Sequence, residues 1–195
     1  MKLEVKRVTE EELEFTLSDT TVAFANALRR VAMSHIPVFG IDTVTFYENE
    51  SALFDEYIAN RIGLVPITTP EGYTDKDVVL FSLDKEGPGM VYSESLKSSD
   101  DKVGVANTDI PIIKLGEGQH LRLEAKARLG TGREHAKFQA GLVTYEMDPS
   151  EKGTFHFRIE SFGQLSAKEM LAGAVRVLGA KLEELDEKLK KVGKD

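Results

Sequence analysis

The stretch SDTTVAFANALRRVAMSHIPVFGI, residues 18–41, predicts a capped helix that runs directly into a strand. The Ser, Asp and Thr residues at 18–21 offer side-chain oxygens that can cap a first helical turn. Alanine, leucine and arginine then dominate, and all three favour helix. Pro37 ends the helix, because proline lacks an amide proton and pushes the preceding Ile36 towards extended geometry.

The predicted helix has two different faces at about 100° per residue. Its apolar face contains Phe24, Ala27, Leu28, Val31, Ala32 and His35. The opposite face contains Asn26, Arg29 and Arg30, and its two guanidinium groups suit planar contacts with carboxylates or main-chain carbonyls. On the pattern alone, an ordinary amphipathic helix with a solvated polar face is the simpler interpretation.

Composition narrows the class of protein. The chain has 195 residues, 41% of them hydrophobic, which is enough for one substantial domain or two small ones that share a core. It has no cysteine, which excludes disulfides, thiolate zinc sites and iron–sulfur clusters. No signal peptide or long apolar span is visible, so we expect a cytoplasmic protein with no membrane contact.

The net charge of −8 bears on the kind of partner. A protein that grips nucleic acid over a broad surface usually has a basic stripe or a basic balance. We therefore expect this chain to work through protein contacts and to make no direct contact with DNA.

The rest of the chain predicts helix and strands at both ends and turn-rich strands between them. Residues 49–62 predict a shorter helix, with Ser51 as N-cap and with Leu53, Tyr57 and Ile58 facing inward. Residues 68–120 are rich in glycine and proline and predict a mostly β module. Strands are predicted at 2–8, 13–17, 38–47, 64–67, 78–83, 90–92, 110–115, 120–129, 141–147 and 154–160.

A long terminal helix is predicted over residues 166–192, with Ser166 and Glu169 as a capping box. Apolar residues recur along it in alternating steps of four and three, at Leu171, Val175, Leu178, Leu182, Leu185, Leu189 and Val192. A helix of ~25 residues is ~40 Å long, at 1.5 Å per residue. Because so small a domain cannot bury that whole seam, we expect a partner helix to cover it.

No active site is predicted. The adjacent carboxylates Asp55 and Glu56 diverge by about 100° on a helix and make a poor acid–base pair. The four histidines, at 35, 120, 135 and 156, lack metal-ligand spacing, and no nucleotide-binding or nucleophile motif occurs. We therefore assign no catalytic residue and no metal ligand.

The segment 126–137 concentrates positive charge in an acidic chain, through Lys126, Arg128, Arg133, His135 and Lys137. Three interpretations remain open from the residues alone. The segment could bind phosphate or nucleic acid, although no aromatic ladder accompanies it. It could be a solvated loop, or a loop that docks an acidic protein partner.

Four motifs resemble one known family. They are FANALRRVAMSHIPVFGIDTV at 24–44, NESALFDEYIANRIGLVPI at 49–67, RLGTGREHAKFQAGLVTYEM at 128–147 and FRIESFGQL at 157–165. Together they resemble the alpha-type assembly subunits of cellular RNA polymerases, and most of all the archaeal D-type branch. The bacterial alpha amino-terminal domain and the third-largest eukaryotic subunit belong to the same family.

The resemblance implies an α+β fold and a platform that is not itself an enzyme. A discontinuous dimerisation domain, 1–47 plus 149–195, would carry a mostly β insert domain at 48–148. The dimerisation domain would pair with a small subunit of the L type and form a heterodimer. The implied interface residues are Phe24, Leu28, Val31, Leu171, Val175, Leu178, Leu182 and Leu185.

The resemblance also implies a second surface, which docks the large catalytic subunits and a small zinc-binding subunit. Its residues would be Asn26, Arg29, Arg30, Arg61, Arg133, His135 and Lys137. Nucleotide transfer would belong to the assembled polymerase. Many archaeal relatives also carry a cysteine-rich module with an iron–sulfur cluster, which a chain without cysteine cannot form, so we expect no cofactor.

Two rival functions come from other classes. One is a stand-alone homodimeric interaction module, in which the terminal seam pairs with itself. The other is a small-molecule enzyme that uses the β module as a pocket.

Overall fold

These sequence patterns fold into three α-helices and ten β-strands in a computed structural model, which describes residues 1–192. The amino-terminal elements are β1 (Lys2–Val8), β2 (Glu12–Ser18), α1 (Val22–Ser34), β3 (Pro37–Asn49) and α2 (Asp55–Gly63). The middle elements are β4 (Val78–Glu86), β5 (Gly89–Tyr92), β6 (Lys97–Ser98), β7 (Pro111–Leu115) and β8 (His120–Thr131). The last elements are β9 (Gly141–Met147), β10 (Phe155–Ser161) and α3 (Ala167–Leu189), and short 3₁₀ turns occur at Ser93–Ser95 and Ala136–Phe138. The expected α+β class is confirmed.

The chain forms two compact units. The first contains Met1–Ile36, Ala140–Ser161 and the chain from Ser166 onward, and the second contains Pro37–Gln139 and Phe162–Leu165. The expected domains divide at 47/48 and 148/149 instead. The contacts divide the chain earlier because β3 pairs with β8 from Pro37, and β9 pairs with β10 from Gly141.

The first unit is a four-stranded antiparallel sheet with two helices packed on it. The strand order is β1-β2-β10-β9, and the predicted β1–β2 hairpin is confirmed. Phe15 on β2 pairs with Phe157 on β10, and their rings stack with centroids 4.8 Å apart. Both α1 and α3 contact this sheet and each other.

The second unit combines a four-stranded sheet, ordered β3-β8-β4-β6, with the two-stranded ribbon β5-β7. The alternation along β8 is confirmed, since Leu121, Leu123, Ala125 and Ala127 are buried while the residues between them face outward. Helix α2 closes the core by burying Ile58 and Ile62.

Three local predictions in this unit are wrong. Helix α2 begins at Asp55, and Ser51 is not its N-cap, because the Ser51 hydroxyl donates to Asn49 Oδ1 at 2.6 Å. Leu53 and Tyr57 are exposed rather than inward. The predicted strand at 64–67 is reduced to a single bridge between Ile67 and Val105.

Within residues 1–192, none of the helices has the length and apolar character needed to span a bilayer.

Candidate functional site

Helix α1 begins as predicted but turns a slightly different face inward. Thr21 Oγ1 accepts a hydrogen bond from the Phe24 amide at 3.2 Å and caps the first turn. The buried residues are Ala25, Leu28, Val31 and Ala32. Phe24, predicted for the apolar face, is 37% exposed and borders surface that no described residue covers.

The polar face of α1 holds one restrained and one free arginine. Arg29 Nη2 donates to Asn26 Oδ1 at 3.2 Å, so these two residues orient each other. Arg30 is exposed, and no side-chain partner for it lies within bonding distance among the described residues. The Arg30 guanidinium therefore remains available for an acceptor on another molecule.

Helix α3 begins with the predicted capping box. The Glu169 amide donates to Ser166 Oγ at 3.2 Å, and the Ser166 amide donates to Glu169 Oε2 at 2.8 Å. These contacts lower the pKa of Glu169, chiefly through its bonds with the Ser166 hydroxyl and amide.

The face that α3 buries is lined by small residues and one methionine: Ala167, Met170, Gly173 and Ala174. A Cβ placed on Gly173 would lie 3.3 Å from an Ile36 methyl, and one placed on Gly141 would lie 2.7 Å from the Met170 methyl. Glycine at both contacts allows α3 to lie close against its unit.

The predicted apolar seam lies on another side of α3, roughly 100° around the helix axis from this buried face. Leu171 and Leu178 are half-buried, whereas Val175, Leu182 and Leu185 are 56%, 67% and 54% exposed. Leu189 and Val192 are exposed as well. In the described chain, the distal part of the seam therefore has no apolar cover.

Strand β1 has exposed apolar residues of its own, which sequence analysis did not predict. Its residues Leu3, Val5 and Val8 pair with Leu17, Phe15 and Leu13 of β2. Directly opposed residues point to the same side of a sheet, so the β1 residues lie on the face where the unit has its core. Their β2 partners are buried, but all three β1 residues are about half exposed.

The basic segment is organised by an aspartate that is distant in the sequence. Asp42 on β3 accepts from Arg128 Nε at 3.1 Å and from Lys137 Nζ at 2.9 Å. Lys137 and Arg128 lower the pKa of Asp42 through these hydrogen bonds. Glu134 receives the Thr131 amide at 3.0 Å and Arg128 Nη1 at 3.1 Å, and these bonds lower its pKa in turn.

The Phe138 ring packs between the basic segment and the strands β3 and β8. A Cβ on Gly40 or Gly130 would lie 2.9 or 2.7 Å from the Phe138 ring, so the ring lies directly on the backbone of β3 and β8. The Arg128 and Lys137 cations lie 5.0 and 5.1 Å from the ring centroid. Both cations thus have cation–π contacts as well as a carboxylate partner.

The predicted docking residues of the second unit are consequently not equivalent. Lys137 is 14% exposed and committed to Asp42, and Arg61 Nη2 donates to the Pro111 carbonyl at 2.6 Å. His135 is exposed, and its Nδ1 accepts from the Lys137 amide at 3.1 Å. Arg133 is exposed and has no bonded partner within residues 1–192.

A separate group of one histidine and two carboxylates lies at the end of the β3–β8–β4 sheet where β8 begins. His120 lies 2.7 Å from both Glu48 and Asp84, and these two hydrogen bonds, Asp84 first, raise its pKa. No group of three or more His, Cys, Asp or Glu in the described chain is arranged to hold a metal ion. The first unit thus exposes apolar side chains and Arg30, and the second unit exposes Arg133 and His135. Surfaces of both kinds are suited to binding other proteins.

Comparison with known proteins points in the same direction. A family model described as the RNA polymerase Rpb3/RpoA insert domain matches residues 41–145. The chain is 39% identical to DNA-directed RNA polymerase subunit Rpo3 of Pyrococcus horikoshii, over 97% of this chain and 73% of that protein. It is 40% identical to Rpo3 of Methanocaldococcus jannaschii, over 93% and 92% of the two chains.

The match to a further relative is closer but shorter. Rpo3 of Thermococcus kodakarensis is 51% identical over 70% of this chain and 55% of its own length. The chain therefore spans only a little more than half of some of the relatives that it resembles.

Proposed function

Since the chain belongs to the family of RNA polymerase subunits represented by Rpb3, RpoA and archaeal Rpo3, we propose that it is a non-catalytic assembly platform of that enzyme. It first forms a heterodimer with a small subunit of the L type, and the heterodimer then recruits the large catalytic subunits and a small zinc-binding subunit. Nucleotide transfer belongs to the assembled polymerase. The platform works in the cytoplasm through protein contacts, without a cofactor.

The uncovered seam of α3 is the observation that carries this proposal. Burying one Leu or Val side chain stabilises an association by about 1.5–3 kcal/mol, so an exposed row of them is a strong site for a partner helix. The proposed interface residues are Phe24, Leu28, Val31, Leu171, Val175, Leu178, Leu182 and Leu185.

Five of these eight residues contribute in one of two ways. Leu28 and Val31 are buried within their own unit and support the surface from beneath. Val175, Leu182 and Leu185 are exposed and would carry the contact itself.

The second step uses the cationic residues. Arg30 and Arg133 have free guanidinium groups, so we assign them the direct contacts with carboxylates or carbonyls of the large subunits. Asn26 holds Arg29 in place, and Arg61 and Lys137 hold their own segments in shape. His135 is exposed beside Arg133 and belongs to the same docking loop.

Co-purification tests the platform directly. The chain is co-expressed with an L-type subunit, as wild type and as Leu182→Asp. We expect the wild type to retain the small subunit and Leu182→Asp to lose it, because a carboxylate in an apolar helix contact has no partner. The matched control is Leu80→Asp on β4, which introduces the same charge at an exposed leucine of the second unit.

Retention of the small subunit by Leu182→Asp would contradict the proposed interface. The recruitment step is tested separately with Arg30→Ala and Arg133→Ala. Both variants should retain the small subunit and bind the large subunits more weakly.

A stand-alone homodimer is the second candidate, because an exposed apolar seam can also bind a second copy of itself. This candidate predicts a stable dimer of the isolated chain that persists when an L-type subunit is added.

A further inference from the structure

We infer that the seam of α3 selects a helix with an acidic edge, and that Lys181 and Lys188 make this selection. The inference rests on the proposed function and deepens it. The proposed function requires only that some partner helix covers the seam. The charges beside the seam also specify which charged residues the partner helix has along its facing edge.

The two lysines belong to a regular row along α3. Ala167, Ala174, Lys181 and Lys188 follow one another at seven-residue intervals and therefore lie on one side of the helix. The two alanines are in the proximal half, where Ala167 and Ala174 are buried. The two lysines are in the distal half, where the helix is exposed on every side. The row thus changes from small to basic where the unit no longer covers the helix.

This lysine row borders the seam directly. Lys181 precedes Leu182 and Lys188 precedes Leu189, which places both lysines at the flanking position of a heptad pattern. Charges at such flanking positions determine which helix can pair and in which orientation. A partner with carboxylates on the facing edge would gain two ion pairs.

Within the free chain the lysines are only partly neutralised. Lys188 bonds to Glu184 one turn earlier, and this bond, with a weaker contribution from Lys181, lowers the pKa of Glu184. The Glu184 carboxylate is thus shared by the Lys181 and Lys188 ammonium groups, and each ammonium group has three N–H donors. Both lysines can therefore accept a further carboxylate from a partner.

A second copy of the chain fits this requirement poorly. The other edge of the seam carries Gly179 and a single acid, Asp186, which already bonds to Lys190 at 2.6 Å. Antiparallel copies would set lysine edge against lysine edge. Parallel copies would offer Asp186 to Lys181 but would leave Lys188 without an acid from the described helix. A different helix, acidic along one edge, satisfies both lysines.

The test uses two synthetic three-heptad peptides with the same Leu/Val seam. One peptide has Glu at its flanking positions and the other has Lys. Calorimetric titration of the full chain with each peptide at about 0.1 M salt should show at least about tenfold tighter binding of the Glu peptide. Because the selection is electrostatic and exposed, the difference should largely disappear at about 1 M salt, where the screening length falls to about 3 Å.

The variant Lys181→Glu/Lys188→Glu should reverse the preference and bind the Lys peptide more tightly. The control Lys85→Glu/Lys114→Glu makes the same change in net charge at exposed positions of the second unit, away from α3, and should keep the preference for the Glu peptide. Equal binding of the two peptides to the wild-type chain would overturn the inference. So would a preference that the Lys181→Glu/Lys188→Glu variant leaves unchanged.

A third variant separates this inference from the proposed function. Leu182→Asp/Leu185→Asp removes the apolar contact and should lose both peptides and the L-type subunit. If this variant loses all three while the wild type does not distinguish the peptides, the seam docks a helix and the lysines do not select it. If the variant keeps the L-type subunit, the proposed interface itself is wrong.

Discussion

At the scale of single residues, the basic segment shows how sequence proximity can mislead. Its positive charges left a phosphate or nucleic-acid site, a solvated loop and a protein-docking loop open. None of these interpretations included an internal partner, but Arg128 and Lys137 are bound to Asp42, 86 and 95 residues away. No pattern in the neighbouring sequence indicates that these cations have such a partner. The glycines at 40 and 130 are the available signal, because both lie where an aromatic ring contacts the backbone of a strand.

Gly130 provides a direct test of that ring contact. In Gly130→Ala, the new methyl group would lie 2.7 Å from the Phe138 ring, and the ring must move away from β8. We expect the free energy of unfolding to fall by about 1–3 kcal/mol, which is typical of overpacking. Urea denaturation measures it.

The control is Gly104→Ala, since a Cβ at Gly104 meets no atom within 4 Å. Its unfolding free energy should stay within about 0.5 kcal/mol of wild type. Equal stability of Gly130→Ala and wild type would contradict the described position of Phe138.

Asp42 makes the stability of the second unit depend on acid pH. Its folded pKa is lowered by the Lys137 and Arg128 hydrogen bonds, so its contribution is present above its ordinary pKa of 3.8. The contribution is lost as the pH falls through the lowered folded value. Asp42→Asn should therefore be less stable than wild type at pH 7, and the difference should shrink below about pH 4.

Urea unfolding of both proteins between about pH 2 and pH 7 measures this difference. Asp77→Asn is the comparison without cations, because the Thr74 amide and hydroxyl lower the pKa of Asp77. Its stability gap should also shrink in acid, but without a contribution from Lys137 and Arg128. A constant gap between Asp42→Asn and wild type across the acid range would show that the Asp42 contacts do not stabilise its ionised form.

At the scale of elements, the helices and their caps follow from local rules, whereas the buried faces do not. The capping box of α3 and the end of α1 before Pro37 are both confirmed. The seam of leucines was expected to bind a partner helix, and its pattern does not show that α3 buries the small residues Ala167, Gly173 and Ala174 in its own unit. Close packing favours the side of α3 with small residues, because there the helix backbone can approach its neighbours. A sequence pattern does not reveal which side this is.

The predicted start of helix α2 is wrong because of a local side-chain contact. Ser51 is a good N-cap residue by type, but Asn49 competes for its hydroxyl and holds residues 50–54 in a turn. Side-chain bonds to nearby groups are the usual competitors of helix starts. The helix therefore begins at Asp55, after Phe54, which makes no side-chain cap bond.

The distal half of α3 should be less stable than the proximal half in the isolated chain. Residues 180–189 are exposed on every side, and helices shorter than about 12–15 residues are marginal in water without packing. Hydrogen exchange should be faster at the amides of 182–189 than at those of 170–177. Addition of an L-type subunit should slow the distal amides.

The proximal amides serve as the internal reference, because their helix face is already buried. Equal protection of the two halves in the free chain would mean that the distal helix needs no cover. Protection that the small subunit leaves unchanged would place the partner elsewhere.

At the scale of the whole molecule, the residues predicted the class of fold and the resemblance predicted the family. Strands and helices at the two ends and turn-rich strands between them were readable from periodicity. The boundaries between the two units, at 36/37 and 139/140, could not be read from periodicity. They depend on the pairing of β3 with β8, which begins 71 residues after β3 ends. Long-range strand pairing leaves no local mark on composition.

The residues of the proposed docking surface were only partly readable from the sequence. The seam of α3 and the arginines of α1 and of the loop after β8 are visible as sequence patterns. Which of them remain free depends on internal partners such as Asn26, Asp42 and the Pro111 carbonyl. The exposed apolar side of β1 was missed because the alternation along residues 2–8 predicts a strand but not how far its apolar side is covered. Its neighbours in β2 became known only from the register.

The central claim is that this chain is one half of a heterodimeric platform. Light scattering after size exclusion, on the chain alone and with an L-type subunit, tests it most directly. We predict a one-to-one complex whose mass is the sum of the two subunits, with 21.6 kDa from this chain. A species at twice 21.6 kDa that persists unchanged when the small subunit is added would contradict the claim.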